Sequence, residues 1–374
     1  MKALRVVLAG GGTGGHLYPA IAVAKHLQMS CDDIKIAFLG LSNGLEARLV
    51  PREGFSLHTV SALPLKGRSR LAQMRALGTL GVGTWQAIKV FKRLRPHLVI
   101  GSGGYVMGPA MLAATLGRVP RVIMEQNVLP GLAVRVMARC AQRVFTAFPE
   151  TQTYLPASHV ECTGIPIRQE ICDLGSSESI STEGPLHVLV FGGSQGAHRI
   201  NQAMMEAVHF FKAEQDRVRV VHQTGEIDYN DVVQAYKAAA LDAEVSPFLH
   251  DMAERYRWAN LVVCRAGAGT LAELTACGKP SILVPYPYAA DNHQYHNAKA
   301  LEQYGAAQVI PDAELTGPRL VAAIQPLLES PAQLHQQAKQ SRQLGRPLAT
   351  QVIVRSCLQL LGIETDGTNR HAQD

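Results

Sequence analysis

Residues 4–16 read LRVVLAGGGTGGH, a short apolar run that ends in glycines and leads into a stretch with helical periodicity. Residues 186–193 read LHVLVFGG and repeat this arrangement in the second half of the chain. A buried strand, a glycine turn and a helix N-terminus, in that order, open a parallel α/β domain. Two such openings in a chain of 374 residues predict two Rossmann-like domains.

Further apolar runs of strand length follow each opening. They are residues 34–39, 97–100, 121–124 and 144–146 in the first half, and residues 218–223, 261–264 and 281–285 in the second half. The stretches between them have helical periodicity, so the fold class is α/β with two doubly wound sheets.

The segment Gly164-Ile165-Pro166 predicts a linker between an N-terminal domain of residues 1–164 and a C-terminal domain of residues 165–344. The last helix, at about residues 349–361, is predicted to cross back, so that about residues 345–365 belong to the first domain. Residues 174–185 are rich in Ser, Gly and Glu, which predicts a surface loop.

Composition narrows the class of partner and the compartment. The net charge of +6 favours anionic partners such as nucleotides, diphosphates or a bilayer surface. Nucleic acid is not expected, since no zinc-finger or RNA-binding aromatic motif is present. The seven cysteines form no C-x-x-C pair, which favours a reducing cytosol, and residues 1–6 predict a first strand rather than a signal peptide.

Residues 98–117 carry no charged side chain and have the length of a membrane span. Glycines at 101, 103, 104 and 108 and the proline at 109 interrupt the segment. A strand, a glycine loop and a short helix fit this pattern better than a transmembrane helix does.

The first glycine loop, Gly10–His16, contains G-x-G-x-x-G, and its backbone and the helix that follows favour an anion. The NAD interpretation also needs an acidic residue after the second strand, which here ends Leu39-Gly40 without one. A second loop, GGSQGA at 192–197, predicts another phosphate cradle, although a tight turn without a ligand is the alternative. Two loops at the carboxyl ends of two domains favour a shared cleft.

A third motif, RAGAGTLAE at 265–273, follows a predicted strand and opens a helix. Glu273 lies about one turn into that helix, where a carboxylate can accept hydrogen bonds from both hydroxyls of a ribose. The alternative is a first-turn acid that is favoured only by the helix dipole. Residues 285–294, PYPYAADNHQ, place polar groups after another strand, which suits hydrogen bonding to a sugar.

These motifs resemble the UDP-N-acetylglucosamine–N-acetylmuramyl-(pentapeptide) pyrophosphoryl-undecaprenol N-acetylglucosaminyltransferase family. The matching stretches are GGGTGGH (10–16), GSGGY (101–105), EQN (125–127), GIPIR (164–168), GGSQGA (192–197), RAGAGTLAE (265–273) and residues 291–294 followed by Asn297. The resemblance implies a GT-B fold, with two Rossmann-like domains around a cleft. It also implies an inverting hexosyltransferase that moves N-acetylglucosamine from UDP-N-acetylglucosamine to the 4-hydroxyl of the muramyl sugar of a lipid-linked muramyl-pentapeptide.

The resemblance further implies roles for individual residues. From the N-terminal side, the donor would be contacted by Thr13, Gly14, Gly15 and Asn127, and its diphosphate and sugar would be held by Arg168 and Ser194. The uracil would meet the backbone of Phe248 and Leu249, and the N-acetylglucosamine hydroxyls would bond to Gln294. The phosphate and ribose would be held by Ala268, Gly269, Thr270, Leu271, Ala272 and Glu273. Gly103, Gly104 and Tyr105 would help to form the acceptor site. Met107, Met124 and His293 depart from the residues that the family more often has, which leaves the acceptor contacts open.

Inversion by a single displacement needs a base that takes the proton of the attacking hydroxyl. His16 is the candidate, because histidine titrates near neutral pH. A histidine that merely caps the start of the helix is the alternative. No Asp-x-Asp metal motif is present, so this interpretation requires neither a metal nor another cofactor.

The lipid-linked acceptor implies a peripheral enzyme at the cytoplasmic face of the inner membrane. Residues 77–95 mix Leu80, Val82, Trp85, Ile88 and Phe91 with basic residues, and Lys66, Arg68, Arg70 and Arg75 lie nearby. Such a mixture fits an anionic lipid surface, or else a helix that packs its apolar stripe into the core. Three other functions stay open on the residues alone: a UDP-sugar epimerase, an NAD-dependent dehydrogenase and a non-catalytic nucleotide-sugar-binding module.

Overall fold

The computed structural model of the protein describes residues 3–63, 70–156, 159–176 and 184–363. The chain divides into two compact units. Unit 1 consists of Met1–Gln126, Pro130–Ile167 and Leu348–Asp374, and unit 2 consists of Asn127–Leu129 and Arg168–Pro347.

The regular elements alternate between strand and helix along most of the chain. The strands are β1 Leu4–Gly10, β2 Ile34–Gly40, β3 Ser56–Thr59, β4 Leu98–Gly103, β5 Arg121–Glu125, β6 Arg143–Thr146, β7 Val160–Cys162, β8 Leu186–Phe191, β9 Val218–Gln223, β10 Ala243–Ser246, β11 Leu261–Cys264, β12 Ser281–Leu283 and β13 Ala307–Val309. The α-helices are α1 Gly14–Ser30, α2 Glu46–Arg52, α3 Arg70–Leu94, α4 Met107–Leu116, α5 Leu132–Met137, α6 Gln169–Cys172, α7 His198–Glu206, α8 Val208–Ala213, α9 Tyr229–Ala238, α10 Met252–Trp258, α11 Ala268–Ala276, α12 His293–Glu302, α13 Gly317–Glu329, α14 Pro331–Leu344 and α15 Ala349–Leu360. The 3₁₀ helices are Ala138–Cys140, Pro149–Tyr154, Asp173–Ser176, Ala290–Asn292 and Asp312–Glu314.

Unit 1 is built on a parallel sheet whose seven strands, counted over the described residues, have the order β3-β2-β1-β4-β5-β6-β7. Its central strands are apolar on both faces because helices cover both sides; Leu8, Leu98 and Ile100 are all fully buried. The strand order reverses between β1 and β4, so the residues after Gly10 and Gly103 lie where ligands bind in open α/β sheets.

The last helix, α15, belongs to unit 1. It packs on α1 and buries Ile353, Val354 and Cys357 in the cluster that also contains Leu8 and Leu17. A polar contact completes the attachment: Ser356 Oγ donates to Glu161 Oε2 at 3.3 Å, and Arg143 bonds both residues. The end of the chain therefore contributes directly to the core of the first unit.

Unit 2 repeats the same order of strands. Its parallel sheet runs β10-β9-β8-β11-β12-β13, six strands among the residues that are described. The core includes Val188 and Val190 of β8, with Phe211 of α8 and Leu320 of α13 packed on one face. The order again reverses at the first strand, between β8 and β11, which places the loops after Phe191 and Cys264 at the switch point.

The predicted strands are all present, with small differences at their ends. Strand β4 begins at Leu98 rather than residue 97, and β12 ends at Leu283 rather than residue 285. The predicted loop at 174–185 was wrong at its start, because residues 174–176 belong to a 3₁₀ helix, and residues 177–183 lie outside the described residues.

The uncharged segment 98–117 forms strand β4, a glycine turn and helix α4, as predicted. In the described parts of the chain, no helix combines the length and the apolar character that a membrane span requires.

Candidate active site

The first glycine loop connects β1 to α1 at the switch point of unit 1. Gly12 has φ +84 and, like Thr13 and Gly15, is exposed, while Thr13 has the extended conformation of an N-cap residue. Gly12, Thr13 and Gly15 therefore lie at the surface at the start of a 17-residue helix.

His16 is held by a glutamine from a different strand end. Its Nδ1 lies 3.0 Å from Gln126 Oε1, and Gln126 Nε2 donates to the Ser102 carbonyl at 3.0 Å. Because the amide NH₂ is directed to a carbonyl, the amide oxygen faces the imidazole, so Nδ1 carries the proton. The Nε2 of the neutral ring then has the lone pair that a general base requires. This contact to another element differs from the bond that a helix cap would make.

The glycines after β4 allow the backbone to approach the first loop. A side chain on Gly103, which has φ +101, would come 2.4 Å from His16 Nδ1. A side chain on Gly104, at φ +75, would come 2.4 Å from the Gly11 carbonyl oxygen. Both positions thus require glycine for conformation and for space, and the two loops of unit 1 form one packed cluster.

Tyr105, which directly follows these glycines, is 52% exposed. Met107 and Met124 are 0% and 2% exposed and belong to the core of unit 1. Met107 and Met124 differ from the residues that the family more often has, but both side chains pack in the core. These two differences therefore affect packing and do not bear directly on contacts to the acceptor.

The second glycine loop connects β8 to α7 at the switch point of unit 2. Gly193 and Gly196 have φ +94 and +76, and Ser194 is exposed between them. Gly196 packs directly on the Thr224 carbonyl, which would lie 1.8 Å from a side chain at this position.

A buried polar network lies behind the second loop. Asn201 Nδ2 donates to the Thr224 carbonyl at 2.8 Å and to Asp228 Oδ2 at 2.7 Å. The fully buried His222 ring lies 3.0 Å from Asn201 Oδ1 and 2.9 Å from the Tyr236 hydroxyl. Burial lowers the pKa of His222 to about 3, so this histidine stays neutral in the folded protein.

Glu273 is the charged centre of unit 2. Its Oε1 accepts hydrogen bonds from Arg168 Nη2 at 3.1 Å and Nε at 3.3 Å, and its Oε2 accepts from the buried Tyr256 hydroxyl at 3.0 Å. Burial raises the pKa of Glu273, while the Arg168 guanidinium and the Tyr256 hydroxyl act against that increase. The sequence had assigned Arg168 and Glu273 to different parts of the donor, whereas the structure pairs them directly.

The dipole alternative for Glu273 does not hold. Helix α11 begins at Ala268 and has no acidic residue in its first turn, so Glu273 lies beyond the region where the macrodipole acts. The carboxylate instead extends towards Arg168, at the end of the segment that precedes α6, and towards Tyr256 of α10.

Asn127 lies in unit 2, although the resemblance had implied a contact from the N-terminal side. Asn297, which is fully buried in α12, accepts from the Val128 amide at 2.9 Å and donates to Asn127 Oδ1 at 3.1 Å. Asn297 thereby holds the short segment Asn127–Leu129 in unit 2.

The segment before α12 contains two consecutive non-glycine residues with positive φ, Asp291 at 55 and Asn292 at 52. Such conformations cost energy and cluster at functional sites. Gln294 follows, and its Oε1 accepts from the Tyr286 amide at 2.9 Å, which directs the amide NH₂ away from that bond. Gln294 is thus oriented as a hydrogen-bond donor.

Sequence reasoning did not identify several of these supporting residues. Arg265 donates to the carbonyls of Val284 and Pro285 at 3.2 and 3.3 Å and pairs with Asp312, so it fixes the loop that carries Tyr286.

At the predicted uracil position, Leu249 is buried and Phe248 is 43% exposed. Across the described parts of the chain, no group of three or more His, Cys, Asp or Glu side chains is arranged to hold a metal ion.

Helix α3 has two apolar faces. Ala76, Gly83, Ala87 and Phe91 are buried, and Phe91 belongs to the core of unit 1. A second set is exposed, with Met74 at 69%, Leu77 at 57%, Val82 at 51% and Trp85 at 56%. Of the two alternatives for this helix, Phe91 follows the one that packs the apolar stripe into the core, whereas Trp85 is exposed. Lys66 and Arg68 lie outside the described residues, as does the side chain of Arg70.

Comparison with known proteins gives consistent matches over most of the chain. Residues 6–146 match the glycosyltransferase family 28 N-terminal domain, and residues 187–353 match the glycosyltransferase family 28 C-terminal domain. A Geobacter sulfurreducens protein named UDP-N-acetylglucosamine--N-acetylmuramyl-(pentapeptide) pyrophosphoryl-undecaprenol N-acetylglucosamine transferase is 43% identical, over 94% of this chain and 97% of that protein.

Two solved structures extend the comparison. The crystal structure of Acinetobacter baumannii MurG has a TM-score of 0.80 at 32% identity and covers 95% of this chain and 99% of that one. The UDP-GlcNAc 2-epimerase from Neisseria meningitidis has a TM-score of 0.66 at 12% identity, over 96% of this chain and 100% of that one. The second likeness is one of fold alone.

Proposed function

The chain belongs to the UDP-N-acetylglucosamine--N-acetylmuramyl-(pentapeptide) pyrophosphoryl-undecaprenol N-acetylglucosamine transferases, and we propose that it uses His16 as general base and unit 2 as its donor-binding unit. It is a hexosyltransferase of peptidoglycan synthesis with the GT-B fold. The reaction moves N-acetylglucosamine from UDP-N-acetylglucosamine to the 4-hydroxyl of the muramyl sugar on the lipid-linked pentapeptide.

The observation that carries the assignment of the base is the chain of hydrogen bonds from Ser102 through Gln126 to His16. The bonds measure 3.0 Å each and fix the ring with its proton on Nδ1. In the single displacement, the acceptor oxygen bonds to the anomeric carbon, the bond from that carbon to the diphosphate breaks, and the hydroxyl proton passes to His16 Nε2. UDP leaves with the electron pair of the broken bond.

Unit 2 supplies groups that suit a nucleoside diphosphate. Helices α7 and α11 begin after glycine-containing turns, and the backbone amides that a helix N-terminus leaves without intrahelical partners favour phosphate. Glu273 would accept from the ribose hydroxyls, since its carboxylate is already held by Tyr256. Arg168 is 44% exposed and would move from Glu273 towards the diphosphate, whose negative charge grows as UDP leaves.

The remaining donor contacts complete this proposal. Ser194 and Asn127 would bind the diphosphate-sugar region, and the Leu249 backbone would meet the uracil. Gln294, oriented as a donor, would bond the hydroxyl oxygens of N-acetylglucosamine. Thr13, Gly14 and Gly15 would contact the transferred sugar from the first loop, and the segment Ala268–Glu273 would hold the phosphate and ribose.

The decisive assay for the activity is transfer of labelled N-acetylglucosamine to a short-chain lipid-linked muramyl-pentapeptide. We expect UDP release that depends on the acceptor and a product that contains both sugars. Conversion of UDP-N-acetylglucosamine to its epimer without acceptor would instead indicate the epimerase alternative, whose fold the chain shares.

We further propose that the exposed face of α3 meets an anionic membrane surface as part of a peripheral attachment. Leu77, Val82 and Trp85 are exposed beside basic residues, and Lys89 Nζ lies 3.4 Å from the centre of the Trp85 ring. Apolar side chains with cationic neighbours suit the boundary between lipid headgroups and acyl chains.

The test is vesicle sedimentation with mixed phosphatidylglycerol and phosphatidylethanolamine. The double variant Leu77→Ser, Trp85→Ser should bind these vesicles less while melting normally, and added salt should weaken the wild-type binding. Met29→Ser is the matched control, because Met29 is an equally apolar side chain that is 78% exposed on α1 rather than on α3. Equal vesicle binding by the double variant and the wild type would exclude this face of α3.

A further inference from the structure

A fully buried carboxylate lies beneath the first glycine loop. Glu46, the first residue of α2, is 0% exposed. Its Oε2 accepts a hydrogen bond from the Gly12 amide at 3.0 Å, and its Oε1 accepts from the Leu41 amide at 2.8 Å. One side chain thus joins the loop after β1 to the residue that follows β2.

Three glycines make room for this carboxylate. A side chain on Gly11 would come 2.3 Å from Glu46 Oε1, one on Gly44 would come 2.4 Å from Oε2, and one on Gly40 would come 2.5 Å from Cγ. Separations below 3.0 Å are not tolerated without a shift, so the glycines and Glu46 form one unit of packing. Because the Glu46 carboxylate is buried, hydrogen-bonded and enclosed by glycines, it is held in a single position.

We propose that Glu46 is the positioning residue of the first glycine loop and that it makes this loop a site for uncharged sugar groups rather than for a diphosphate. The Gly12 amide donates inward to Glu46, so it does not contribute to an outward anion cradle. A negative charge directly behind the loop also opposes a phosphate in front of it. The sequence had predicted that this loop favours an anion, and the position of Glu46 argues against that prediction.

The effect on catalysis passes through the residues that follow the loop. Thr13 directly follows Gly12, and its carbonyl accepts the first bonds of α1, from the His16 and Leu17 amides at 3.2 Å each. A displaced Gly12 would therefore move the start of α1 and the ring of His16. This consequence rests on the proposed role of His16, whereas the anchoring of the loop does not depend on it.

The test compares Glu46→Gln with Glu53→Gln. Glu53 lies at the other end of α2 and forms a partly exposed ion pair with Lys25. Glutamine keeps the size of the side chain but offers one acceptor oxygen, and its NH₂ group would face one of the two amides. Hydrogen exchange at Gly12 and Leu41, turnover and donor KM are measured for both variants and for the wild type.

For Glu46→Gln we expect exchange at Gly12 and Leu41 to rise roughly tenfold or more, because local opening costs less when an amide loses its acceptor. Turnover should fall by about 10- to 100-fold, as a catalytic group moves by up to ~1 Å, and donor KM should change less than turnover, because the proposed UDP contacts lie in unit 2. The acidic limb of the pH–rate profile should keep its position, since His16 is still the base. Glu53→Gln should leave every readout unchanged.

Each of the other possible results would contradict one part of the proposal about Glu46. Unchanged exchange at Gly12 would remove the anchor, and faster exchange with normal turnover would remove the positioning role. A change in donor KM without a change in turnover would place Glu46 in donor binding instead. If Glu46→Gln does not fold, Gly11→Ala, which pushes the same carboxylate, must give the same pattern of exchange and turnover. A wild type that transfers no sugar would refute the proposed function, while the exchange data would still test the anchor.

Discussion

The two glycine loops occupy equivalent places in two sheets of the same strand order, yet different chemistry supports them. The first loop, Gly10–Gly15, is backed by the buried carboxylate of Glu46 and by the Gly103-Gly104 backbone. The second, Gly192–Ala197, is backed by the Thr224 carbonyl and by a network through Asn201 and the neutral His222. Under the proposals above, the same local sequence pattern would serve an uncharged group in the first loop and a phosphate in the second.

The largest expected effect is on kcat, because only the first loop is followed by the proposed catalytic base. His16→Ala should lower kcat by about 10²–10⁴-fold, the usual range for loss of a general base. Donor affinity should change little, because the proposed UDP contacts lie in unit 2. The wild-type pH–rate profile should have an acidic limb that reports protonation of the base, and this limb should vanish or move in the variant.

His26→Ala is the matched control for this experiment, since His26 lies further along the same helix, half-buried and outside the first loop. Its kcat and pH profile should equal those of the wild type. A folded His16→Ala enzyme with near-normal kcat would assign the proton transfer elsewhere, with the buried Glu125 as the next candidate.

The next effect concerns the unit of the second loop. Glu273→Gln should raise the donor KM roughly 10- to 100-fold and change kcat less, because one charged hydrogen-bonding group contributes about 1.5–3 kcal/mol and ribose contacts persist into the transition state. Calorimetric titration with UDP measures the loss directly. Glu254→Gln, an exposed acid on α10, serves as control. Unchanged UDP affinity would remove Glu273 from the ribose site.

A smaller effect compares the loops by packing. Gly12→Ala should cost about 1–2 kcal/mol of unfolding free energy, since the left-handed conformation alone is penalised where no atom lies within 4 Å of the new side chain. Gly196→Ala should cost more, because its side chain would come 1.8 Å from the Thr224 carbonyl. Urea unfolding of both variants measures the difference, and equal costs would show that the second loop yields as readily as the first.

The smallest expected effect is a pH dependence of the free energy of unfolding, which comes from the buried His222 in the network behind the second loop. His222 has a pKa of about 3 when folded, and an unfolded histidine has a pKa of about 6.5. Between these values the unfolded chain binds a proton that the folded chain does not, so stability falls as the pH decreases. The slope is at most about 1.4 kcal/mol per pH unit, and the effect is absent above pH ~6.5.

Trp258 fluorescence reports this transition in a Trp85→Phe background, since the chain has two tryptophans. Denaturant unfolding at pH 7 and at pH 5 gives the slope, and His222→Asn should reduce it. A slope that is the same in His222→Asn and in its parent would assign the acid dependence to other groups.

Sequence patterns were informative wherever neighbours along the chain decide the conformation. Strands β1 and β8 were predicted because apolar runs end in glycines, and the strand–loop–helix at 98–117 because glycines interrupt an uncharged segment. Helix α15 was predicted to return to the first domain, and its Ile353 and Cys357 are buried in a cluster with residues of β1 and α1. The family motifs also led to the correct fold and transferase activity.

The patterns were less informative about contacts between distant residues. Helix α3 shows this clearly, because Trp85 and Phe91 are both aromatic neighbours of basic residues, yet one is exposed and the other lies in the core. Periodicity identifies apolar faces but does not state which of two faces meets the sheet.

The sequence by itself determined the strands and helices, the glycine turns, and the positions of His16 and Glu273 on their helices. These features depend on φ/ψ preferences and on burial periodicity, which act over a few residues. Only the tertiary structure decided that Gln126 orients His16, that Arg168 pairs with Glu273 and that Glu46 lies behind the first loop. These contacts join residues that are 34 to 110 positions apart. Side-chain hydrogen bonds over such separations depend on how strands align in a sheet, and local preferences carry no information about that alignment.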